Sequence, residues 1–492
     1  MPITLRDYQT SGVTALRNSF RSGKSAPLYV CPTGGGKTII FCHIAEGVQQ
    51  RQKRAVILVH RQELLTQTSR ALRDLGVDHA LIAPSWRYRG EPIAVASVQT
   101  LASRLKRATA RELLELYNFD LIITDEAHHS PAGQWKYIHG QFPHAKILGV
   151  PATPCRTDGK GLGVDAGGCF DDLILGPTIQ WLISEGYLTK PVTYAPPTKI
   201  DLSEVHTRGG DWNNKELAAV LDKPKITGDA VAHYARLCPF KPAIVFCASI
   251  EHAQHVAADF RAAGFVAMSL DGKMGDAERR AGIQGLASGD IHVLTSCDLI
   301  SEGTDIPVVT AAILLRPTQS EGLYLQQVGR ALRPVYADGY DLKTREGRLA
   351  AIANGPKPVA LILDHVGNCL VHGLAQEERE WSLEGAPRKK RGKQERVIPL
   401  KQCPNCYAWV DPAPKCSECG HVFDTESRDI QQVEGELKPL TDEEIEALRK
   451  QRKREQGSAQ TIEQLIELGK ARGYKNPTFW AKHVLRARES AR

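Results

Sequence analysis

Short apolar runs alternate with amphipathic stretches over two long parts of the chain. In the first part, the apolar runs that predict buried strands cover 28–30, 55–59, 93–97, 121–124 and 146–150. In the second part, they cover 243–249, 266–270, 291–297, 311–315 and 359–364. Between the runs lie stretches with apolar residues near helical spacing, such as 62–75. Such alternation is typical of a parallel sheet with helices on both faces. The pattern therefore predicts an α/β fold with two tandem parallel-sheet domains.

Breaks in this alternation set the expected domain boundaries. Prolines and glycines interrupt it between the two parts, and the composition becomes strongly basic after residue 380. We expect a first domain, a linker and a second domain over 1–190, 191–230 and 231–380. We expect a basic linker, a four-cysteine module and a short helical tail over 381–400, 401–424 and 425–492.

Length and composition limit the class of protein. At about 150 residues per domain, 492 residues suggest about three domains. The 63 Lys and Arg residues exceed the 56 Asp and Glu residues by seven charges, and the run 386–396 supplies five of them. This mild positive charge permits an anionic partner. No apolar run approaches the roughly 18–20 residues of a membrane span, and the N-terminus has no signal-like apolar core, so we expect a soluble cytoplasmic protein.

A glycine-rich turn follows the first predicted strand and precedes a helical pattern. It reads PTGGGKT and consists of Pro32, Thr33, Gly34, Gly35, Gly36, Lys37 and Thr38. The backbone N–H groups of such a turn bind phosphate oxygens, helped by the helix N-terminus. Lys37 is expected to reach the β- and γ-phosphates of a nucleotide, and Thr38 to hold Mg²⁺. The strict pattern has a glycine where this chain has Cys31.

Two acidic residues, Asp125 and Glu126, end the apolar run 121–124 and begin the sequence DEAH. Removing two carboxylates from water is costly unless they meet a metal ion or a proton. Asp125 is expected to bind Mg²⁺, directly or through water, and Glu126 to orient or deprotonate an attacking water. Together with the glycine-rich turn, this pair predicts nucleotide hydrolysis.

Further short motifs follow in order between residues 5 and 334. They read LRDYQ at 5–9, LVHRQELLTQ at 58–67, SVQTL at 97–101, PATP at 151–154, IVFCAS at 244–249, TSCDLISEGTDIP at 295–307 and QQVGRALRP at 326–334. With the glycine-rich turn and DEAH, this ordered set resembles the superfamily 2 helicases. The resemblance implies two RecA-like domains that bind ATP and Mg²⁺ between them and hydrolyse the ATP.

The resemblance also implies roles for single residues. Arg330 and Arg333, three apart on one predicted helix face, would be arginine fingers on the γ-phosphate, beside Gln326. The residues implied to complete the ATP site are Arg6 and Gln9 near the base, and Gly303 and Asp305 in TSCDLISEGTDIP. The residues implied to couple the site to movement are His128 and Thr153, and those implied to touch nucleic acid are Arg61, Thr100 and Thr295.

Two later segments indicate a branch within the superfamily 2 helicases. GKGLGVDAGGCFDDLILGP at 159–177 and SEGYLTKP at 184–191 resemble the RadD/YejH-like branch, which is related to restriction-type helicases. This branch implies DNA as the partner, single-stranded or branched, and a role in repair, recombination or replication with other proteins of those processes. An RNA helicase and the motor subunit of a restriction system stay open as alternatives.

Four cysteines are clustered as two Cys-x-x-Cys pairs. They are Cys403, Cys406, Cys416 and Cys419. Two such pairs complete a tetrahedron of thiolates and leave no open position, which predicts a structural Zn²⁺. The adjacent Tyr407 and Trp409 are expected to cover this module, with base stacking as the alternative. The basic run 386–396 is expected either to contact phosphates or to be a solvated linker.

Overall fold

The structure is a computed structural model. It describes residues 4–131, 133–154, 156, 160–195, 207–208, 211–212, 224–272, 274–297, 306–385, 401–402, 409–410, 438–440, 459, 461–471 and 481. Gly303, Asp305, the basic run 386–396 and the four clustered cysteines lie outside these residues. Among the helices that are described, none has the length and apolar character needed to cross a membrane.

A seven-stranded, all-parallel sheet forms the core of the first domain. Its strands are β1 Pro27–Val30, β2 Ala55–Val59, β3 Ala80–Ile82, β4 Ile93–Ser97, β5 Leu121–Asp125, β6 Lys146–Val150 and β7 Asp172–Leu175. They lie in the order β3-β4-β2-β5-β6-β1-β7. Every residue of β1, β2 and β5 is buried, as expected for a sheet with helices on both faces.

Six helices cover the two faces of this sheet. They are α1 Asp7–Arg21, α2 Lys37–Gln49, α3 Gln62–Asp74, α4 Val98–Leu105, α5 Ala110–Glu115 and α6 Gly133–Gln141. Successive residues of β2 point to opposite faces. Ile57 packs in one apolar cluster with residues of α1, α2 and α3, whereas Val56 packs in another with residues of α4 and α6.

A second seven-stranded sheet follows in the chain. The remaining strands are β8 Pro191–Ala195, β9 Thr207–Arg208, β10 Asp211–Trp212, β11 Ala243–Phe246, β12 Ala267–Leu270, β13 Val293–Ser296, β14 Ala311–Leu314, β15 Ala360–Asp364, β16 Lys401–Gln402, β17 Trp409–Val410 and β18 Lys438–Leu440. The sheet has the order β12-β13-β11-β14-β15-β8-β18, and only its edge pair β18 and β8 is antiparallel. The short pairs β9–β10 and β16–β17 are separate.

The remaining described helices complete the second domain and the C-terminal region. They are α7 Ile179–Ser184, α8 Pro224–Leu237, α9 Ile250–Ala262, α10 Asp276–Ser288, α11 Glu321–Ala331, α12 Arg345–Ala353, α13 Asn368–His372 and α14 Ile462–Ala471. The predicted fold class, two tandem parallel-sheet RecA-like domains, is confirmed. The zinc module and the helical tail stay predictions.

The structure differs from the expected boundary between the two domains. The first sheet ends with β7, whereas Leu182 and Leu188 are buried in the apolar cluster of the second domain. β8 lies in the predicted linker 191–230 but pairs with β15 of the second sheet. Pro191 suggested a loop in the sequence, but proline is tolerated as the first residue of a strand. β8, which lies in the predicted linker, is therefore part of the second sheet, and the domain bounds stay predictions.

Two strands of the first sheet were not expected. β3 and β7 are short and lie at the two edges, where most of their residues are only partly buried. Their apolar runs, ALI and LIL, are short, and runs of this length do not distinguish a strand from other structure by pattern alone. Another unexpected strand, β18, lies in the predicted helical tail and extends the second sheet.

Candidate active site

The glycine-rich turn joins β1 to α2. Gly34 and Gly36 have φ angles of +85° and +79°, a left-handed region that favours glycine. α2 begins at Lys37 with Gly36 as its N-cap, and no described side chain caps its first turn. The N–H groups of Ile39 and Ile40 donate to the carbonyl oxygen of Gly36, which leaves those of Lys37 and Thr38 at the start of the helix for an anion.

Cys31 occupies the position where the strict pattern has glycine. Its buried Sγ lies 3.4 Å from the carbonyl oxygen of Gly35, to which the thiol donates. Burial raises the pKa of this thiol to about 12, so the thiol is neutral at physiological pH. The cysteine therefore supports the turn through packing and a hydrogen bond.

Lys37 and Glu126 form an ion pair beside the turn. Nζ of Lys37 lies 2.9 Å from Oε1 of Glu126. Burial acts to lower the pKa of Lys37, but the charges of Glu126 and Asp125 outweigh it and raise the pKa. The lysine therefore stays protonated and can meet phosphate charge.

Asp125 ends β5 and is buried. Burial, followed by the charge of the adjacent Glu126, raises its pKa to about 7 although Lys37 acts to lower it. Such an environment disfavours the ionised form of the carboxyl group. A nearby cation stabilises the ionised form. Asp125 and the hydroxyl of Thr38 both supply oxygen, the donor type that Mg²⁺ prefers, so these residues fit a magnesium ion.

Glu126 also meets the second domain. Nε2 of Gln326, on α11, donates to Oε2 of Glu126 at 3.3 Å, and Nδ1 of His128 lies 3.4 Å from the same oxygen. Glu126 has a φ of +48°, a conformation that costs free energy in a non-glycine residue and is often found at functional sites. One carboxylate thus contacts the lysine of the first domain and a glutamine of the second.

α11 packs directly on the first domain through two glycines. A Cβ on Gly329 would stand 2.7 Å from Cβ of Thr33, and a Cβ on Gly322 would stand 2.8 Å from Oγ1 of Thr153. The glycines are seven residues apart, about two helical turns, so they share one face. Their lack of side chains lets the helix approach both the glycine-rich turn and PATP closely.

The two candidate arginine fingers occupy different local structures. Arg330 is buried in the last turn of α11, but the helix ends at Ala331 and Arg333 lies beyond it. The expectation that both arginines share a helix face is therefore wrong, because Pro334 disfavours helical backbone in the residue before it. Arg333 still lies against the turn, since a Cβ on Gly34 would be 3.6 Å from its Cγ.

A buried lysine that the sequence did not reveal fixes the backbone at Arg333. Nζ of Lys357, which is 1% exposed, donates to the carbonyl oxygens of Arg333 and Pro307 at 2.6 and 3.0 Å. Burial, followed by the Arg333 charge, lowers the pKa of Lys357 to about 7. A lone lysine between prolines gives no sequence signal, because most lysines are exposed.

The side chains implied to lie near the base contact the glycine-rich turn. Nε2 of Gln9 donates to the carbonyl oxygen of Gly36 at 3.5 Å, and the backbone N–H of Arg6 donates to Oε1 of Gln9 at 2.9 Å. Tyr8, between them in sequence, donates its hydroxyl to the carbonyl oxygen of Gly35 at 3.1 Å. The structure thus brings this segment to the turn and adds Tyr8, which the sequence did not single out.

The three residues implied to touch nucleic acid lie in different environments. Arg61 lines a cleft between the domains together with Arg279, and Thr100 is half-buried in the first turn of α4. Thr295 is fully buried and donates to the carbonyl oxygen of Ala253 at 2.6 Å. In this structure the hydroxyl therefore joins β13 to α9, and contact of Thr295 with nucleic acid stays a prediction.

Two expected nucleotide contacts and the expected zinc ligands fall outside the part of the chain that the structure describes. Gly303, Asp305 and the zinc candidates Cys403, Cys406, Cys416 and Cys419 lie outside the described residues. Within the ranges that are described, no group of three or more His, Cys, Asp or Glu residues is arranged to hold a metal ion.

Family comparisons match both sheet domains. Residues 2–156 match the family described as type III restriction enzyme, res subunit, and residues 231–335 match the helicase conserved C-terminal domain. A 51.5 kDa protein of a Lactococcus phage is 31% identical over 418 residues, which cover 84% of this chain and 82% of that protein.

More distant similarities extend to a yeast protein and to a restriction-modification enzyme of known structure. A Saccharomyces cerevisiae protein with the provisional name ATP-dependent helicase IRC3 is 29% identical to this chain. The match covers 67% of this chain and 49% of the yeast protein. The structure of the ATP-dependent Type ISP restriction-modification enzyme LlaBIII bound to DNA has the same fold, with a TM-score of 0.51 and 18% identity over 74% of this chain and 28% of that chain. The present chain thus spans about half of the yeast protein and about a quarter of the restriction enzyme.

Proposed function

We propose that this chain, which belongs to the superfamily 2 helicases, is an ATP-driven motor that moves along or remodels DNA. Membership of the family implies ATP hydrolysis. The DNA substrate, the roles of single residues and a place in repair, recombination or replication are the proposed parts.

The observation that carries this proposal is the double contact of Glu126. Its carboxylate pairs with Lys37 of the first domain and accepts a hydrogen bond from Gln326 of the second. A group held by both domains changes its surroundings when the domains move apart. In this proposal, ATP hydrolysis, which depends on Glu126, is therefore coupled to domain movement.

Each residue of the site has a proposed role. Lys37 binds the β- and γ-phosphates, Glu126 orients the attacking water and accepts its proton, and Arg330 and Arg333 stabilise charge on the γ-phosphate. The other proposed roles are base contact for Arg6 and Gln9, coupling for His128 and Thr153, and nucleotide contact for Gly303 and Asp305. Asp125 and Thr38 would hold Mg²⁺, which neutralises phosphate charge when bound.

A cleft between the domains supports the nucleic-acid part of the proposal. Arg61 and Gln62 of the first domain face Ile250 and Arg279 of the second. Nη1 of Arg279 lies 3.5 Å from Oε1 of Glu63. Arginines from both domains on one cleft suit a phosphate backbone that crosses the domain boundary.

DNA is favoured over RNA because two proteins of the same fold were solved with DNA. The restriction enzyme LlaBIII was solved with DNA, and another protein of the same fold, the DUF1998 helicase MrfA, was also solved with DNA. We expect single-stranded DNA to stimulate ATP turnover by this chain more strongly than RNA of the same length. Steady-state phosphate release with each cofactor, at low and high salt, measures this. Stronger stimulation by RNA would replace the proposed substrate with the RNA alternative.

A motor subunit of a restriction system is the second candidate. It is favoured by the family description matched over 2–156 and by the fold shared with LlaBIII. In that case the chain moves DNA for a partner that cuts it. DNA cleavage that appears only when a co-expressed partner is added would support this candidate.

We also propose that the four clustered cysteines bind a structural Zn²⁺. The strands β16 and β17 pair antiparallel, with Gln402 opposite Trp409, on either side of the first cysteine pair in sequence. Four thiolates form the donor set of a closed structural zinc site. We expect metal analysis of the purified chain to find one Zn²⁺ per molecule, and Cys416→Ser to lose it while ATP turnover persists. Chain purified without chelator that contains no zinc would contradict this.

A further inference from the structure

Tyr187 connects the glycine-rich turn of the first domain to a helix of the second. Its ring centroid lies 5.1 Å from that of Tyr8 and 6.1 Å from that of Trp181. The guanidinium carbons of Arg6 and Arg348 lie 4.6 and 4.0 Å from the same centroid. One aromatic ring thus contacts Arg6 of the first domain and Arg348 of α12 in the second domain.

On the first-domain side, the contacts lead to the phosphate-binding turn. Tyr8, whose ring meets Tyr187, donates its hydroxyl to the carbonyl oxygen of Gly35 at 3.1 Å. Arg6 donates from Nη1 to the hydroxyl oxygen of Tyr8 at 3.1 Å. These two hydrogen bonds link the glycine-rich turn to the groups that touch the Tyr187 ring.

On the second-domain side, Arg348 is fixed. It is buried and donates to the carbonyl oxygens of Glu185, Leu342 and Lys343 at 2.7, 3.2 and 3.0 Å. The backbone beside Tyr187 is held as well, because the Tyr336 hydroxyl donates to the carbonyl oxygen of Gly186 at 2.6 Å. The segment that carries Tyr187 therefore moves with the second domain.

We propose that Tyr187 is a positioning residue that transmits nucleotide binding at the glycine-rich turn to the second domain. This inference rests on the proposed function, since it concerns how ATP binding changes the grip on DNA. The route is separate from the arginine fingers, because it passes through Tyr8 and Arg348 and touches none of the groups placed on the γ-phosphate. Stacking of guanidinium groups on an aromatic ring depends on a π-face, which an aliphatic side chain of similar bulk does not provide.

The test is the linkage between nucleotide and DNA. The dissociation constant of a fluorescent single-stranded DNA is measured with and without a non-hydrolysable ATP analogue, and the ratio is the coupling factor. We expect the analogue to tighten DNA binding of the wild type by a factor in the usual range of about 5–150. Tyr187→Leu should lower that factor at least about fivefold, consistent with losing a desolvated cation–π contact. Tyr187→Phe should keep it, because the ring remains.

A matched control is Tyr340→Leu, which makes the same substitution at an exposed tyrosine of the second domain. A general loss of stability reduces the active fraction of protein and leaves the ratio unchanged, so the coupling factor separates positioning from folding. An unchanged factor in Tyr187→Leu, or equal losses in the Leu and Phe variants, would overturn the inference. A wild-type factor near one would instead overturn the proposed function on which it rests.

Discussion

Replacing Arg330 with alanine is expected to lower ATP turnover on the order of 10³-fold or more, the range found for arginine fingers. The guanidinium lies in the last turn of α11, which packs on the glycine-rich turn through Gly329. Charge that develops on the transferred phosphoryl group would lose its stabilisation from the second domain. Nucleotide affinity should fall far less, because Lys37 and the turn remain. We expect the same result for Arg333→Ala.

Steady-state ATP turnover and the binding of a fluorescent nucleotide, measured on the same preparation, test this expectation. Arg236→Ala, which removes an exposed arginine of the second domain, serves as the matched control. Near-normal turnover in both Arg330→Ala and Arg333→Ala would mean that hydrolysis does not use the second domain.

The second large effect is expected at Glu126. Glu126→Gln keeps the size of the side chain and an oxygen that accepts from Lys37, but it removes the group proposed to take the proton of water. We expect turnover to fall about 10²–10⁴-fold, the usual contribution of general acid–base catalysis. ATP binding should persist. Lys37→Ala should instead abolish activity by weakening the contact with the β- and γ-phosphates.

Equilibrium binding separates these two variants. Glu126→Gln should bind nucleotide with an affinity close to that of the wild type, whereas Lys37→Ala should bind it weakly. Turnover by Glu126→Gln at the wild-type rate would show that another group activates the water. Comparable nucleotide affinity in Lys37→Ala and the wild type would contradict the role given to the lysine.

The glycine-rich turn and Asp125 were predictable from the sequence, because each depends on residues that are adjacent in the chain. The glycine-rich turn needs positive φ at Gly34 and Gly36, and Asp125 ends a fully buried strand. The turn and the buried strand can each be identified from a few consecutive residues. The structure places the turn and Asp125 beside Lys37. The inner strands were also predictable, because burial on both faces demands uninterrupted apolar runs.

Tertiary contacts decided what the sequence did not reveal. Tyr187 and Lys357 act through partners more than 20 residues away in the chain, such as Arg6 and Arg333. Nothing in the neighbourhood of Lys357 marks it, and the segment SEGYLTKP around Tyr187 resembles a helicase branch without giving the tyrosine a role. The match of Thr295 to a motif likewise did not determine whether its hydroxyl faces the cleft or the core, where the structure buries it.

ATP turnover of the wild-type chain with and without single-stranded DNA tests the central claim most directly, when Arg330→Ala is measured alongside it. The account predicts that saturating DNA raises turnover of the wild type several-fold, and that the DNA-dependent increment disappears in Arg330→Ala. Turnover that is the same with and without DNA, or an increment that survives in Arg330→Ala, would contradict a motor that hydrolyses ATP between its two domains to act on DNA.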